Sequence, residues 1–100
     1  MRLEFFEDAA LEIEEDRAWY RERSESAETG FLREFDHAIQ QVIDAPAQWP
    51  RYLAGTHRYV FPTYPYSLVY FVEDDVVRVV AVAHDKRRPG YWRKRLRKGR

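Results

Sequence analysis

Phe31, Phe35, Ala38, Ile39, Val42 and Ile43 recur at the i, i+4, i+7, i+8 spacing of one helical face. A stripe that continuous has to be buried against a second apolar surface. The chain supplies that surface downstream, in two runs, Tyr66 to Val72 and Val76 to Ala83, that are nearly unbroken in apolar residues. Such runs suit central strands covered on both faces. Glu73-Asp74-Asp75 separates them at hairpin distance, and Asp74 and Asp75 read as turn residues. The constraint is therefore a helix on a sheet, with a further cover required on the other side.

The remaining elements follow from local signals. Arg2-Leu3-Glu4-Phe5-Phe6 reads as a short strand, and Asp8 can cap a helix running to about Arg23. On that helix Ala10, Ile13, Arg17 and Tyr20 share a face, with Leu11 and Trp19 beside it, while Glu12, Glu14 and Glu15 point elsewhere. Glu14-Glu15-Asp16 reads as a solvated face, as do Arg33 and Glu34 on the next helix. Ser24 and Ser26 mark a break. Gly30 disfavours a helix interior, which places the start of the second helix nearer Thr29 than Ser26. Pro46 closes it, and the short link predicts an antiparallel helical hairpin. After a loop from Ala45 to Gly55, a first β-run, His57 to Phe61, precedes the two apolar ones. The expected fold is α+β in the order β-α-α-β-β-β: an N-terminal strand, a helical hairpin, then a three-stranded antiparallel meander. Its 100 residues read as a single domain.

The formal net charge of zero hides a strong asymmetry. Residues 1–45 hold 13 acids and 5 bases, a net of −8, and residues 46–100 hold 4 acids and 12 bases, a net of +8. The segment 86–100 alone has 9 bases. Two faces with different partners are expected, the basic one suited to a polyanion. No apolar run is long enough for a membrane span, and Met1-Arg2-Leu3-Glu4 has no signal-peptide core, so a cytoplasmic chain is expected. With no cysteine there is neither a disulfide nor a thiolate site. His37, His57 and His84 are too scattered for a metal motif, and the glycines are isolated, so neither a metal nor a cofactor is expected.

In this order the chain resembles the toxins of the RelE/ParE superfamily, the toxic halves of bacterial type II toxin–antitoxin pairs. The resemblance rests on Trp19-Tyr20, the Phe31…Phe35…Ile39 stripe, Pro46…Trp49-Pro50, Arg58 on the second strand and Tyr64-Pro65-Tyr66 opening the third. Its strongest part is Ala81-Val82-Ala83-His84…Arg87…Pro89-Gly90-Tyr91-Trp92…Arg95. It is closer to the ParE and plasmid-stabilisation branch, departing from it at Tyr64, where Phe is usual, and at Asp16, where a small apolar residue is usual. The resemblance implies that RelE-like members enter the ribosomal A site and cut mRNA, whereas ParE-like members inhibit DNA gyrase without chemistry of their own. Both are silenced by an antitoxin whose C-terminal segment wraps the toxin.

The expectation is a ParE-like gyrase inhibitor neutralised by a cognate antitoxin, the alternative a ribosome-dependent mRNA endonuclease. As a nuclease, His84 would carry the proton, Arg58 and Arg87, with Arg88, would clamp phosphate, and Tyr91 would stack on a base or donate a proton. As a binding surface, Arg58, Lys86, Arg87, Arg88, Tyr91, Trp92 and Arg95 would contact the target or nucleic acid. A structural reading stands beside both: His84 bonds at a strand end, Arg87 ties down the C-terminal segment, and Tyr91 and Trp92 fold onto the sheet. The third strand carries no base, which disfavours a nuclease. Antitoxin docking is expected on the acidic hairpin, with Trp19 and Tyr20 as anchors.

Overall fold

The computed structural model describes residues 1–98, the last of them by its backbone alone. β1 (Arg2–Phe5) runs directly into α1 (Glu7–Arg23). The cap position falls to Phe6, without a side-chain cap, rather than to Asp8. Asp8 instead lies in the first turn, 3.6 Å from Arg95, where an acid also suits the helix dipole.

A single residue separates the helices. Ser24 donates its N–H to Tyr20 O (3.1 Å) and its Oγ accepts from Ala27 N (3.0 Å), so it ends α1 and caps α2 (Glu25–Asp44) at once. The second helix therefore begins earlier than its sequence suggests, with Gly30 inside it. Packing explains the glycine: a Cβ there would meet the Tyr64 hydroxyl at 2.5 Å. Glu34, expected to be solvated, accepts from the backbone N–H groups of Thr63 (3.0 Å) and Tyr64 (2.7 Å), pinning the Pro62–Pro65 bend to the helix.

A 3-10 turn (Leu53–Gly55) leads to β2 (His57–Val60), β3 (Tyr66–Glu73) and β4 (Val76–His84). Asp74 (φ 53°) and Asp75 (φ 62°) both sit in the left-handed region, as a two-residue hairpin turn demands. The sheet order is β1-β4-β3-β2. The meander is antiparallel as expected, but β1 pairs with β4 in parallel, so the sheet as a whole is mixed.

One face of the sheet carries the helical hairpin. Ala9, Phe31, Phe35, Ala38 and Val42 pack there on Leu68, Tyr70, Val77, Val79 and Val82. The other face buries Val69, Phe71, Val80 and Ala81 under Trp92, which follows β4 and precedes α3 (Arg93–Lys98). A bulge reconciles the two faces. Val69 pairs with Ala81 and Tyr70 with Val79, leaving Val80 opposite no residue and turning both Val80 and Ala81 outward.

α1 departs most from its sequence reading. Ala9 is its buried residue, while Ala10 is exposed and Leu11 is 53% exposed. Glu14 and Glu15 are solvated, but Glu12 and Asp16 turn inward. The reason lies in the sheet edge that α1 has to cover.

Candidate functional site

β1 covers β4 only as far as Val79, where Phe5 pairs with it and Phe6 N donates to its carbonyl (2.9 Å). Beyond that point the chain has left the sheet for α1. The backbone of Val80 and Val82 would stay unpaired, at a cost of about 1–3 kcal/mol for each buried group. Two side chains stand in for the missing strand. Glu12 Oε1 accepts from Val82 N (3.0 Å), and Arg95 Nη1 donates to Val80 O (3.0 Å). The two join in a bidentate pair, 2.9 Å at both contacts. Glu12 Oε2 also accepts from the Tyr91 hydroxyl (2.6 Å). Burial alone would lower the Arg95 pKa, but Glu12 reverses this and holds it above its usual value. Burial, then the Glu12 contact, pushes the Tyr91 phenol well above its ordinary range.

This clamp fixes the segment that follows β4. A chain of turns builds it: Asp85 N donates to Pro65 O (2.9 Å), Arg87 N to His84 O (2.9 Å) and Tyr91 N to Arg88 O (3.1 Å). The loop so formed closes a cleft of about 170 Å³ whose lining includes Arg58, His84, Arg87, Arg88, Tyr91 and Trp92. Lys86 adjoins it in sequence. Six of the residues singled out from sequence thus come together in space.

Their roles separate on inspection. Trp92 is 1% exposed and forms the core of the outer face, so it supports the cleft and has no free surface for a target. Arg95 is spent on Glu12, and the Tyr91 hydroxyl with it. It is Arg95, and not Arg87, that reaches a backbone carbonyl. Arg58 lies with its guanidinium carbon 4.4 Å from the Tyr52 ring centroid, and Arg87 with its own 3.8 Å from that of Tyr91. Among the described residues no carboxylate forms an ion pair with Arg58, Lys86, Arg87 or Arg88. His84 packs edge-on against Tyr66, ring centroids 5.1 Å apart, and its Nδ1 accepts the backbone N–H of Lys86 (3.1 Å). In the neutral ring that bond leaves the proton on Nε2, which then serves as a donor.

On the acidic side, Trp19 is 51% exposed under the Arg23 guanidinium, whose carbon lies 3.3 Å from the ring centroid. Tyr20 is half-buried, stacked on Phe31 (5.0 Å) and edge-on to Tyr64 (5.3 Å). A larger cleft, about 500 Å³, lies at the β1–α1 junction between Glu4, Phe5, Phe6, Glu7, Asp8 and the arginines Arg78 and Arg95. Among the described residues, no group of three or more His, Asp or Glu is placed to hold a metal ion, and no helix is long and apolar enough to cross a membrane.

The chain matches the family model for the ParE toxin of the type II toxin–antitoxin system parDE over residues 3–89. The chain belongs to the ParE toxin family. Its fold is similar to a solved chain of the chromosomal ParDE TA system from P. aeruginosa, with a TM-score of 0.67 at 13% identity, covering 84% of this chain and 95% of that one. No curated protein matches it in sequence. The ParE match includes Arg58, His84, Arg87 and Arg88, whereas Tyr91, Trp92 and Arg95 lie beyond it.

Sequence reasoning missed Glu12. Its signal was present but indirect: a strand of four residues beside one of nine must leave an edge uncovered.

Proposed function

We propose that this ParE-family toxin arrests growth by binding DNA gyrase through the basic surface around Arg58, Lys86, Arg87 and Arg88, with no bond made or broken by the toxin. The observation that carries this reading is that both candidate proton carriers are engaged. A general base for a ribose hydroxyl needs a free basic nitrogen, whereas His84 Nδ1 is occupied by the Lys86 N–H. A general acid needs a proton it can release, whereas Tyr91 gives its own to Glu12. A cognate antitoxin, basic where this chain is acidic, neutralises the toxin from the hairpin side, with exposed Trp19 as an anchor and Tyr20 beneath it. Both partners place the toxin in the cytoplasm.

One observation favours the mRNA endonuclease reading: His84, Arg58, Arg87 and Tyr91 do line a single cleft. Inducing the chain without antitoxin separates the two. The gyrase reading expects growth arrest, relaxed plasmid DNA and an unchanged map of RNA 5′ ends. New 5′ ends at a fixed place within codons, lost in His84→Ala, would replace it with the nuclease.

A further inference from the structure

Six of the described arginines form ion pairs. Arg17 meets Glu28 at 2.7 Å, Arg78 meets Glu4 at 2.6 Å, and Arg95 meets Glu12 at 2.9 Å. Among the described residues, the arginines of the cleft after β4 form none. Three arginines, Arg58, Arg87 and Arg88, line it, with Asp85 as its acid. Two of them are held in a particular way. A guanidinium lying over an aromatic ring is fixed in orientation while its N–H groups, all in the plane of the fork, stay free at the edge. Tyr52 does this for Arg58 and Tyr91 for Arg87. Both rings are themselves anchored, Tyr52 against Trp92 (centroids 6.1 Å apart) and Tyr91 through Glu12. At about 170 Å³ the cleft is smaller than the roughly 300 Å³ at which pockets for whole small molecules begin. It has room for one group, and its donors suit a planar or tetrahedral oxyanion.

We propose that this cleft is a phosphodiester clamp that holds one backbone phosphate of a DNA strand between Arg58, Arg87 and Arg88 without cleaving it. The inference rests on the gyrase reading, because a gyrase inhibitor meets DNA already held on its target. Tyr91 fits the assignment as the platform that sets the angle of Arg87. The clamp is preorganised: among the described residues, its arginines have no carboxylate to leave before they take a phosphate.

The test uses the full chain and a fluorescein-labelled single-stranded DNA 12-mer, read by anisotropy from low to moderate salt. Arg58→Gln/Arg87→Gln should weaken binding at least about tenfold at low salt. It should also flatten the plot of log K against log salt by about 0.7, the value for losing one phosphate contact on a single strand. Arg93→Gln/Arg97→Gln removes the same charge from the exposed face of α3 and should weaken binding less than about twofold. Thermal unfolding of each variant checks that the fold is intact, and the exposure of all four side chains makes that the expected result. Equal losses in the two double variants would overturn the clamp in favour of diffuse charge. So would displacement of the DNA by polyglutamate as readily as by unlabelled oligonucleotide, which would mean an acidic protein surface. RNA of the same sequence bound tenfold more tightly, or cut, would return the cleft to the mRNA reading. Gyrase supercoiling, measured alongside, keeps the two proposals apart. Inhibition by Arg58→Gln/Arg87→Gln as strong as by the parent chain would sink the clamp and remove these arginines from the gyrase-binding surface while leaving gyrase as the target, and no inhibition by a DNA-binding parent would sink the gyrase reading alone.

Discussion

Arg87 and Arg95 flank the same ring, their guanidinium carbons 3.8 and 5.2 Å from the Tyr91 centroid, yet they belong to different regions of the molecule. Arg95 is 16% exposed, forked onto Glu12, and substitutes for an absent strand. Arg87 is exposed, has no carboxylate partner among the described residues, and faces a cleft with Arg58 and Arg88. One basic segment thus holds a structural clamp and a free surface, joined at Tyr91. The difference teaches that a basic run is not one feature. Arg95 is consumed by the fold because a buried backbone group beside it lacks a partner, and Arg87 has no such group to satisfy.

The sharpest way to break that comparison is at Glu12. Glu12→Ala strands the Arg95 cation, the Tyr91 hydroxyl and the Val82 N–H together, and should cost about 3 kcal/mol in urea denaturation. A loss below about 1 kcal/mol would mean that the edge is satisfied without the clamp.

Asp16, one turn further along α1, shows what an inward acid does without a cationic partner among the described residues. Its Oδ2 is buried with no hydrogen bond, and desolvation, opposed by Tyr66 and assisted by Glu12 and Glu15, raises its pKa from 3.8 to about 7. The folded chain keeps this proton to higher pH than the unfolded chain does, so stability should fall as pH rises from about 4 to about 7. Asp16→Asn should flatten that slope and stabilise the protein by about 2 kcal/mol at pH 8, well under the full value of the shift because the carboxyl is only partly buried. A pH profile of the urea midpoint unchanged by the substitution would contradict the assignment.

Tyr91→Phe cuts the joint while keeping the ring beneath Arg87. It should cost about 1 kcal/mol through the lost bond to Glu12 and spare toxicity. If toxicity vanishes in a folded Tyr91→Phe chain, the hydroxyl does chemistry and the nuclease reading gains. Smallest of all, Arg87→Ala should change stability by less than about 0.5 kcal/mol while weakening target binding. Circular dichroism melts and growth arrest on induction read the two effects separately.

Much of the architecture was legible because it rests on periodicity. The Phe31-to-Val42 stripe, the Asp74-Asp75 turn and the twice-covered strands each follow from local pattern, and all three are found. What sequence hid was long-range. Gly30 sits inside a helix because Tyr64 lies 34 positions away. Glu12 reads as solvated because its partners are 70 to 83 residues distant. In the site, Arg58, His84, Arg87 and Tyr91, grouped from sequence, line one cleft. Nothing in the spelling distinguishes Arg95 from Arg87, since the distinction lies in an edge that only the register of β1 on β4 defines.

The most direct test of the account is the supercoiling activity of purified DNA gyrase titrated with this chain and with His84→Ala. The account predicts that both inhibit with the same potency, because the histidine supplies no proton transfer. Full gyrase activity at saturating parent chain would contradict it.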